Sequence, residues 1–399
     1  MTSAATYSRH LAPPLAIHRI VLHLLIIAEL VFSSRLYLAF LPSFAQRLIL
    51  ALILLTSAGY TALALARGYF AAAFVQLVCL ALIITQMLVF EGNTSLPVEW
   101  NGIGQYLTIS LFVPIFMLCN YGLADRFMDV FGRYTTIYAL LYVPFVLLHN
   151  FNLIPMQIVQ PILSNDVERG DRLFAHSGAL LYAWFLILGR LRFGFTFGRA
   201  IIVPMCLLAL LLTVSRVYLT CAGVITVFFL ARVPYSLTRV ICLLALGTAS
   251  AVLLYGALDP TWNPFAGYLD SDTSGRGRML EYQVAQVLVQ RSPIFGYGLP
   301  SSGDQAGFVT GLTFFAGNDL GAFGVYMDLG IIGLVLYFAA SVLATQRLEL
   351  PSEPFRSALF YAGCTLALDG CLSPMLFIPG GTIIFAVILG VWLAQKAQS

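Results

Sequence analysis

The sequence predicts an all-α fold, a polytopic transmembrane helical bundle of about 12 spans at roughly 20 apolar residues each, with one long periplasmic loop containing short helices. Composition is the first reason. Of 399 residues, 60% are apolar or aromatic and only 10% charged, and the mean hydropathy is +0.89. A soluble globule of this size needs far more polar surface. The second reason is that the apolar residues fall in continuous runs of spanning length. A β-barrel would show short alternating segments, and backbone groups in lipid must be satisfied within each element.

In chain order the runs fall at about 17–40, 48–66, 69–90, 103–123, 134–154, 174–190, 195–214, 217–232, 238–257, 321–345, 357–373 and 375–395. They make residues 1–399 a single integral membrane domain, with 258–320 as a long loop inside it. The N-terminal stretch Met1 to Pro14 is short and polar, and no small-residue cleavage site ends the run after it, so that run reads as a first span. The seven cysteines are scattered through apolar runs without metal-ligand spacing and read as small buried residues. No internal repeat and no low-complexity tract is visible.

The positive charges set the orientation. With N- and C-termini in the cytoplasm, thirteen of the 21 basic residues fall in inner loops and ends; the other eight (Arg35, Arg47, Arg169, Arg172, Arg216, Arg276, Arg278 and Arg291) fall near the outer face. Two outer segments stand out. Pro155 to Leu173 is polar, with Asn165, Asp166, Glu168, Arg169, Asp171 and Arg172. Leu258 to Leu320 is the longest non-spanning stretch, and loops of that length without disorder composition usually carry function. Its part from Gly277 to Arg291 reads as an amphipathic helix, with Met279, Val284, Val287 and Leu288 against Arg278, Gln283 and Gln290.

Arg216 lies in LLTVSRVYLT between two long runs with almost no loop. An arginine there either snorkels to the interface or faces a polar cavity with an anionic partner. Arg172, Arg276 and Arg278 come to the same face from other segments. Guanidinium groups bind phosphate oxygens through paired charged hydrogen bonds, so the cluster suits a pyrophosphate. Pairing with Asp166, Glu168, Asp171, Asp270, Asp272 and Glu281 in the same loops is the structural alternative. Candidate bases are His176, Glu281, Asp304, Asp319 and Asp328; Asp319, at the opening of a span, reads first as a helix cap. The glycines of RSPIFGYGLPSSG lack the Lys-Ser/Thr and the preceding strand of a phosphate-binding loop. No inner acidic cluster is present to hold a nucleotide-bound metal.

The segments LLTVSRVYL, SGRGRMLEYQVAQVLVQRSPIFGYGL and NDLGAFGVYMDLGIIGLVLYF together resemble the O-antigen ligase and O-antigen (Wzy-type) polymerase superfamily of bacterial envelope glycan enzymes. The corresponding positions are Ser215 and Arg216, Arg278 and Tyr282, Pro293, Gly296 and Gly298, and Gly330 and Gly333, in the same order and spacing. The resemblance runs from about Arg172 to Phe338. It implies a metal-independent, cofactor-free inverting glycosyltransferase of the bacterial inner membrane. Its donor is a glycan on undecaprenyl pyrophosphate, held by Arg172, Arg216, Arg276, Arg278 and Arg291, with Arg169 as a further candidate. It gives catalytic roles to Arg216, Arg278 and Asp319, admits a chain-length regulator as partner beside membrane lipid, and leaves no place for nucleic acid.

Ligases that transfer glycan to lipid A core carry a His-Asn pair eleven residues before the Gly-x-x-Gly. Here that histidine position is Asp319, and no histidine follows His176. The absence favours the polymerase branch, making O-antigen, capsule or exopolysaccharide, with Asp319 or the adjacent Asn318 in the histidine's role. A ligase is the alternative, and a transporter of lipid-linked glycan is the second, although no paired halves of the kind transporters show are visible.

Overall fold

The computed structural model describes residues 15–98, 104–166, 170–266, 273–300, 303–312, 315, 317–350 and 352–398. The N-terminal stretch read above as polar, Met1 to Pro14, lies outside them. Each of the twelve apolar runs contains a helix: α1 Leu15–Ser33, α2 Ser43–Ala66, α3 Phe70–Thr94, α4 Phe112–Asn120, α5 Ala124–Asn150, α6 Ser177–Phe193, α7 Phe197–Leu211, α8 Arg216–Leu230, α9 Tyr235–Leu258, α12 Gly321–Ala344, α13 Glu353–Asp369 and α14 Thr382–Gln398. The long loop supplies α10 Thr273–Arg291 and α11 Gly303–Thr310. Among the described residues, six helices are long and apolar enough to cross a membrane, and four shorter apolar segments accompany them. The protein is a multi-pass helical membrane protein.

The packing follows from which helices can bury all of their surface. α6 is apolar all round and almost wholly buried, and it packs against α13, α5 and α7. α14 packs against α4, α8 against α13, and α9 against α12 and α13. On the periphery the opposite holds: Leu55, Phe74, Leu244 and Val335 are large apolar side chains exposed in the middle of their helices, as expected where the surroundings are lipid. Proline lies inside α5 at Pro144 and inside α7 at Pro204, an arrangement that membrane helices tolerate better than soluble ones.

Three boundaries differ from the hydropathy reading. α5 begins at Ala124, about ten residues before the apolar run, because a charged turn continues the helix beyond the apolar part; Arg133 pairs with Asp129 at 2.7 Å across one turn. The last two runs are separated at 370–381, where Gly370, Pro374, Pro379, Gly380 and Gly381 leave a connection with one short 3₁₀ turn, Met375–Phe377. Lastly, the polar segment after α5 folds into an antiparallel hairpin, β1 Leu163–Asp166 and β2 Gly170–Leu173, with Ser164 opposite Arg172. It is a small addition to an otherwise helical chain.

The long loop is fixed to the bundle by backbone contact. Tyr297 N–H donates to Met327 O at 2.6 Å, Gly298 N–H to Asp328 O at 3.0 Å, and Leu299 N–H to Gln86 O at 3.0 Å. α12 opens at Gly330, whose φ of 62° and ψ of −157° interrupt the helix and free these carbonyls. A Cβ at Gly296 would lie 2.4 Å from Asp328 O, and one at Gly298 would lie 2.3 Å from Phe90 N. Both glycines have positive φ, so only glycine satisfies conformation and space together. The Pro-x-x-Gly-x-Gly and Gly-x-x-Gly elements are thus two sides of one junction.

Candidate functional site

The helix ends on the loop face converge on a polar centre. α10 lies along α12 and along the 3₁₀ turn Gly317–Leu320. Tyr282 fixes its rotation: the ring is fully buried, stacks on Phe323 with centroids 4.5 Å apart, and its hydroxyl donates to Leu253 O at the end of α9. Burial pushes the Tyr282 hydroxyl up to about 12, so it stays a donor at neutral pH. Gln286, one turn on, donates to Gly256 O at 3.1 Å and Trp262 O at 2.8 Å. Arg278 is one turn before Tyr282 and therefore on the same face. It is half-buried, and its Nε is enclosed with no hydrogen-bond partner among the described residues.

Asp319, partly buried, stands in the turn that meets α10, one residue before Leu320, the N-cap residue of α12. Asp369, the last residue of α13, is 2% exposed and lies within electrostatic range of both Asp319 and Arg278. It also acts on Tyr218, in the first turn of α8, whose hydroxyl donates to Ser177 O at 2.7 Å. The buried Asp369 thus lies within electrostatic range of a partly buried carboxylate and a half-buried guanidinium from two other segments, and of Tyr218 at the start of α8. Asp369 was not legible as a site residue, although an ionisable side chain inside an apolar run is itself a signal of function.

The remaining candidates are distributed as follows. Arg216 begins α8 and is exposed; Arg276 is exposed on α10 two residues before Arg278. Arg291 ends α10, thirteen residues from Arg278, which a helical rise of about 1.5 Å per residue converts to roughly 20 Å. Arg172 lies in β2, while Arg169 is outside the described residues, as are Glu168, Asp270 and Asp272. Glu281 is buried on α10. Asn318 belongs to the same turn as Asp319, and Asp304 to α11. In α10 the expected apolar face holds for Met279, Val284 and Leu288 but not for Val287, which is exposed; the buried face is centred on Tyr282 and Ala285.

His176 has a different place from that of a base. Its Nδ1 accepts the Ala179 N–H at 3.2 Å and so caps α6. That puts the ring proton on Nε2, which faces the Glu29 carboxylate at 3.0 and 3.1 Å. Ser33 donates to the same carboxylate at 2.7 Å. His176 N–H also donates to the Tyr138 hydroxyl at 2.9 Å. Both ring nitrogens are committed, leaving no lone pair for proton abstraction. Glu29 and His176 tie α1 and α5 to the start of α6, beside Ser177.

Residues 200–338 match the family model described as O-antigen ligase. The match supports membership of the O-antigen ligase and polymerase superfamily. No curated protein and no solved structure matches the chain. The matched region covers most of α7, all of α8 to α11, and α12 as far as Phe338, so it contains Arg216, Arg276, Arg278, Arg291, Asp319 and the glycines of the junction. Arg172, His176 and Asp369 are outside it. Within that region the Arg278 and Tyr282 spacing has a physical meaning: the tyrosine anchors the helix and the arginine is presented one turn away. Among the described residues no group of three or more His, Cys, Asp or Glu side chains could hold a metal ion.

Proposed function

We propose that this protein is a surface-polysaccharide polymerase of the bacterial inner membrane, acting on its periplasmic face, where the loop end of the bundle lies. It joins repeat units carried on undecaprenyl pyrophosphate. The observation that carries the reading is that Arg278, with an unsatisfied enclosed Nε, and Asp319 both lie within electrostatic range of the buried Asp369. Arg278 and Arg216 hold the donor pyrophosphate and stabilise the charge that develops on it, an effect of pre-placed donors. The acceptor hydroxyl oxygen attacks the anomeric carbon from the opposite side. Its proton passes to Asp319 or Asp369, the anomeric C–O bond to pyrophosphate breaks, and undecaprenyl pyrophosphate leaves as the anion. One glycosidic bond forms with inversion.

The absence of histidine at position 319 supports a polymerase over a ligase, since a carboxylate serves there. The test is purified protein in lipid nanodiscs with undecaprenyl-pyrophosphate-linked oligosaccharide. The expected products are longer lipid-linked glycan and free undecaprenyl pyrophosphate. Transfer to added lipid A core without lengthening would make it a ligase, and neither product would remove the enzyme reading.

A further inference from the structure

A group of unpaired donors lies at the end of the bundle opposite the long loop. α3 meets that loop through Gln86 and Asn93, near its C-terminal end. The turn Arg67–Tyr69 before its first residue is therefore roughly 35 Å away at the usual helical rise. That distance exceeds the roughly 30 Å hydrocarbon core and puts the turn at the depth of phospholipid headgroups. Four side chains from three elements meet there. His18 on α1 is 3% exposed, its Nδ1 lies 2.7 Å from the Tyr60 hydroxyl on α2, and its ring packs on Tyr121, directly after α4, with centroids 4.6 Å apart. The Tyr60 hydrogen has no other acceptor among the described residues, so it points at Nδ1 and leaves the ring proton on Nε2. Arg67, which ends α2, holds its guanidinium carbon 5.6 Å from the centre of the Tyr121 ring.

These donors are unspent. His18 Nε2, Arg67 Nε and Nη2, and the Tyr121 hydroxyl are all enclosed and make no hydrogen bond among the described residues. No carboxylate pairs with Arg67 among those residues, and the fourteen residues before α1 contain neither Asp nor Glu. The backbone N–H groups of Arg67, Gly68 and Tyr69 are bonded back into the last turns of α2 and compete for nothing. The Tyr121 ring offsets part of the Arg67 charge but supplies no acceptor. Enclosed donors on a cation are costly to leave unmade. Nε and Nη2 form the side edge of the guanidinium, which takes two oxygens of one phosphate through parallel charged hydrogen bonds. An imidazole N–H and a phenol O–H beside that edge add donors from other directions, as a tetrahedral oxyanion requires.

We infer that Arg67, His18 and Tyr121 bind a phosphate group at the membrane face opposite the long loop. An anionic glycerophospholipid and free phosphate share this chemistry, and the experiment separates them. The melting temperature of the delipidated full-length protein in uncharged detergent is followed against added phosphatidylglycerol, inorganic phosphate, or diacylglycerol, which has the lipid chains without the phosphate. Expected is a rise with one or both phosphates and none with diacylglycerol. Phosphatidylglycerol alone assigns a lipid headgroup; inorganic phosphate at equal effect assigns the free anion. Arg67→Gln removes the charge and the paired edge, and is expected to raise the half-maximal concentration at least about tenfold. Tyr121→Phe keeps the ring against His18 and Arg67 and removes only a hydroxyl without a partner in the chain. It leaves the unliganded melting temperature unchanged and raises the half-maximal concentration about threefold or more, so it decides the matter if Arg67→Gln does not fold. No rise with either phosphate overturns the inference, as does an equal rise with diacylglycerol or a phosphate response that survives Tyr121→Phe. None of these readouts involves a glycan, so the outcome stands apart from the polymerase reading.

Discussion

Replacing Glu29 by alanine and by glutamine separates two accounts of its contact with His176. Both side chains are buried, 1% and 0% exposed, and the Glu29 carboxylate accepts from Ser33 Oγ at 2.7 Å and from His176 Nε2 at 3.0 Å. If the Ala179 N–H holds the imidazole in its neutral form, the contact is a hydrogen bond to a carboxylate and not an ion pair. Alanine then strands two buried donors at about 1–3 kcal/mol each and removes about two methylene-sized groups from a packed site. The sum is about 4–8 kcal/mol, counting about 0.8 kcal/mol per methylene, and its lower end overlaps the roughly 3–5 kcal/mol seen when a buried pair loses one member. Glutamine keeps a carbonyl for His176, and the Ser33 hydroxyl can turn to accept from the amide, so the loss is about 1 kcal/mol. Equilibrium unfolding in mixed detergent micelles, followed by circular dichroism, measures both. Equal destabilisation by the two substitutions would show that the charge itself carries the contact, and would refute the neutral tautomer.

Three further outcomes are expected. Gly298→Ala forces a left-handed φ on alanine, about 1–2 kcal/mol, and drives a Cβ into the α3 backbone 2.3 Å away, so unfolding free energy falls by about 2–4 kcal/mol, whereas Gly223→Ala, with nothing within 4 Å in mid-helix, gains about 0.5–1 kcal/mol; the same micelle titration reads both, and equal behaviour would dismiss the junction. Arg278→Lys keeps a charge but loses the paired geometry, and turnover in the glycan-lengthening assay is expected to fall by about 10²- to 10³-fold at an unchanged melting temperature. Tyr282→Phe keeps the stack on Phe323 and loses the hydrogen bond to Leu253, costing about 1 kcal/mol by thermal unfolding, with proteolysis of the long loop as an independent readout.

The twelve helices were legible because the apolar run is a local property: each side chain states its own preference for lipid. Boundaries were less so where another force took over, as at Asp129 and Arg133, whose pairing carries α5 past the apolar stretch, or at 370–381, where glycine and proline end α13 earlier and start α14 later than the two apolar runs do. For the site, Arg278 and Asp319 were visible as charges in a long loop. Asp369, Glu29 and the committed ring of His176 were not, since their meaning lies in partners 50 or more residues away that no local pattern names. The glycine motifs were seen as spacing only, and their reason, two backbones too close for any Cβ, is a three-dimensional fact.

The contact between Pro293–Gly298 and the opened turn of α12 has a consequence for engineering. Loops of polytopic enzymes invite exchange as cassettes, cut where they leave the bilayer. Here a cut between residues 258 and 321 would transplant one half of a backbone junction and leave its counterpart on α12 and α3 behind. A chimaera that retains specificity needs the loop, α12 and the Gln86 to Asn93 stretch of α3 from one parent, because Leu299 and Tyr297 are bonded there as well. The unit of inheritance is the junction, and it crosses two spans.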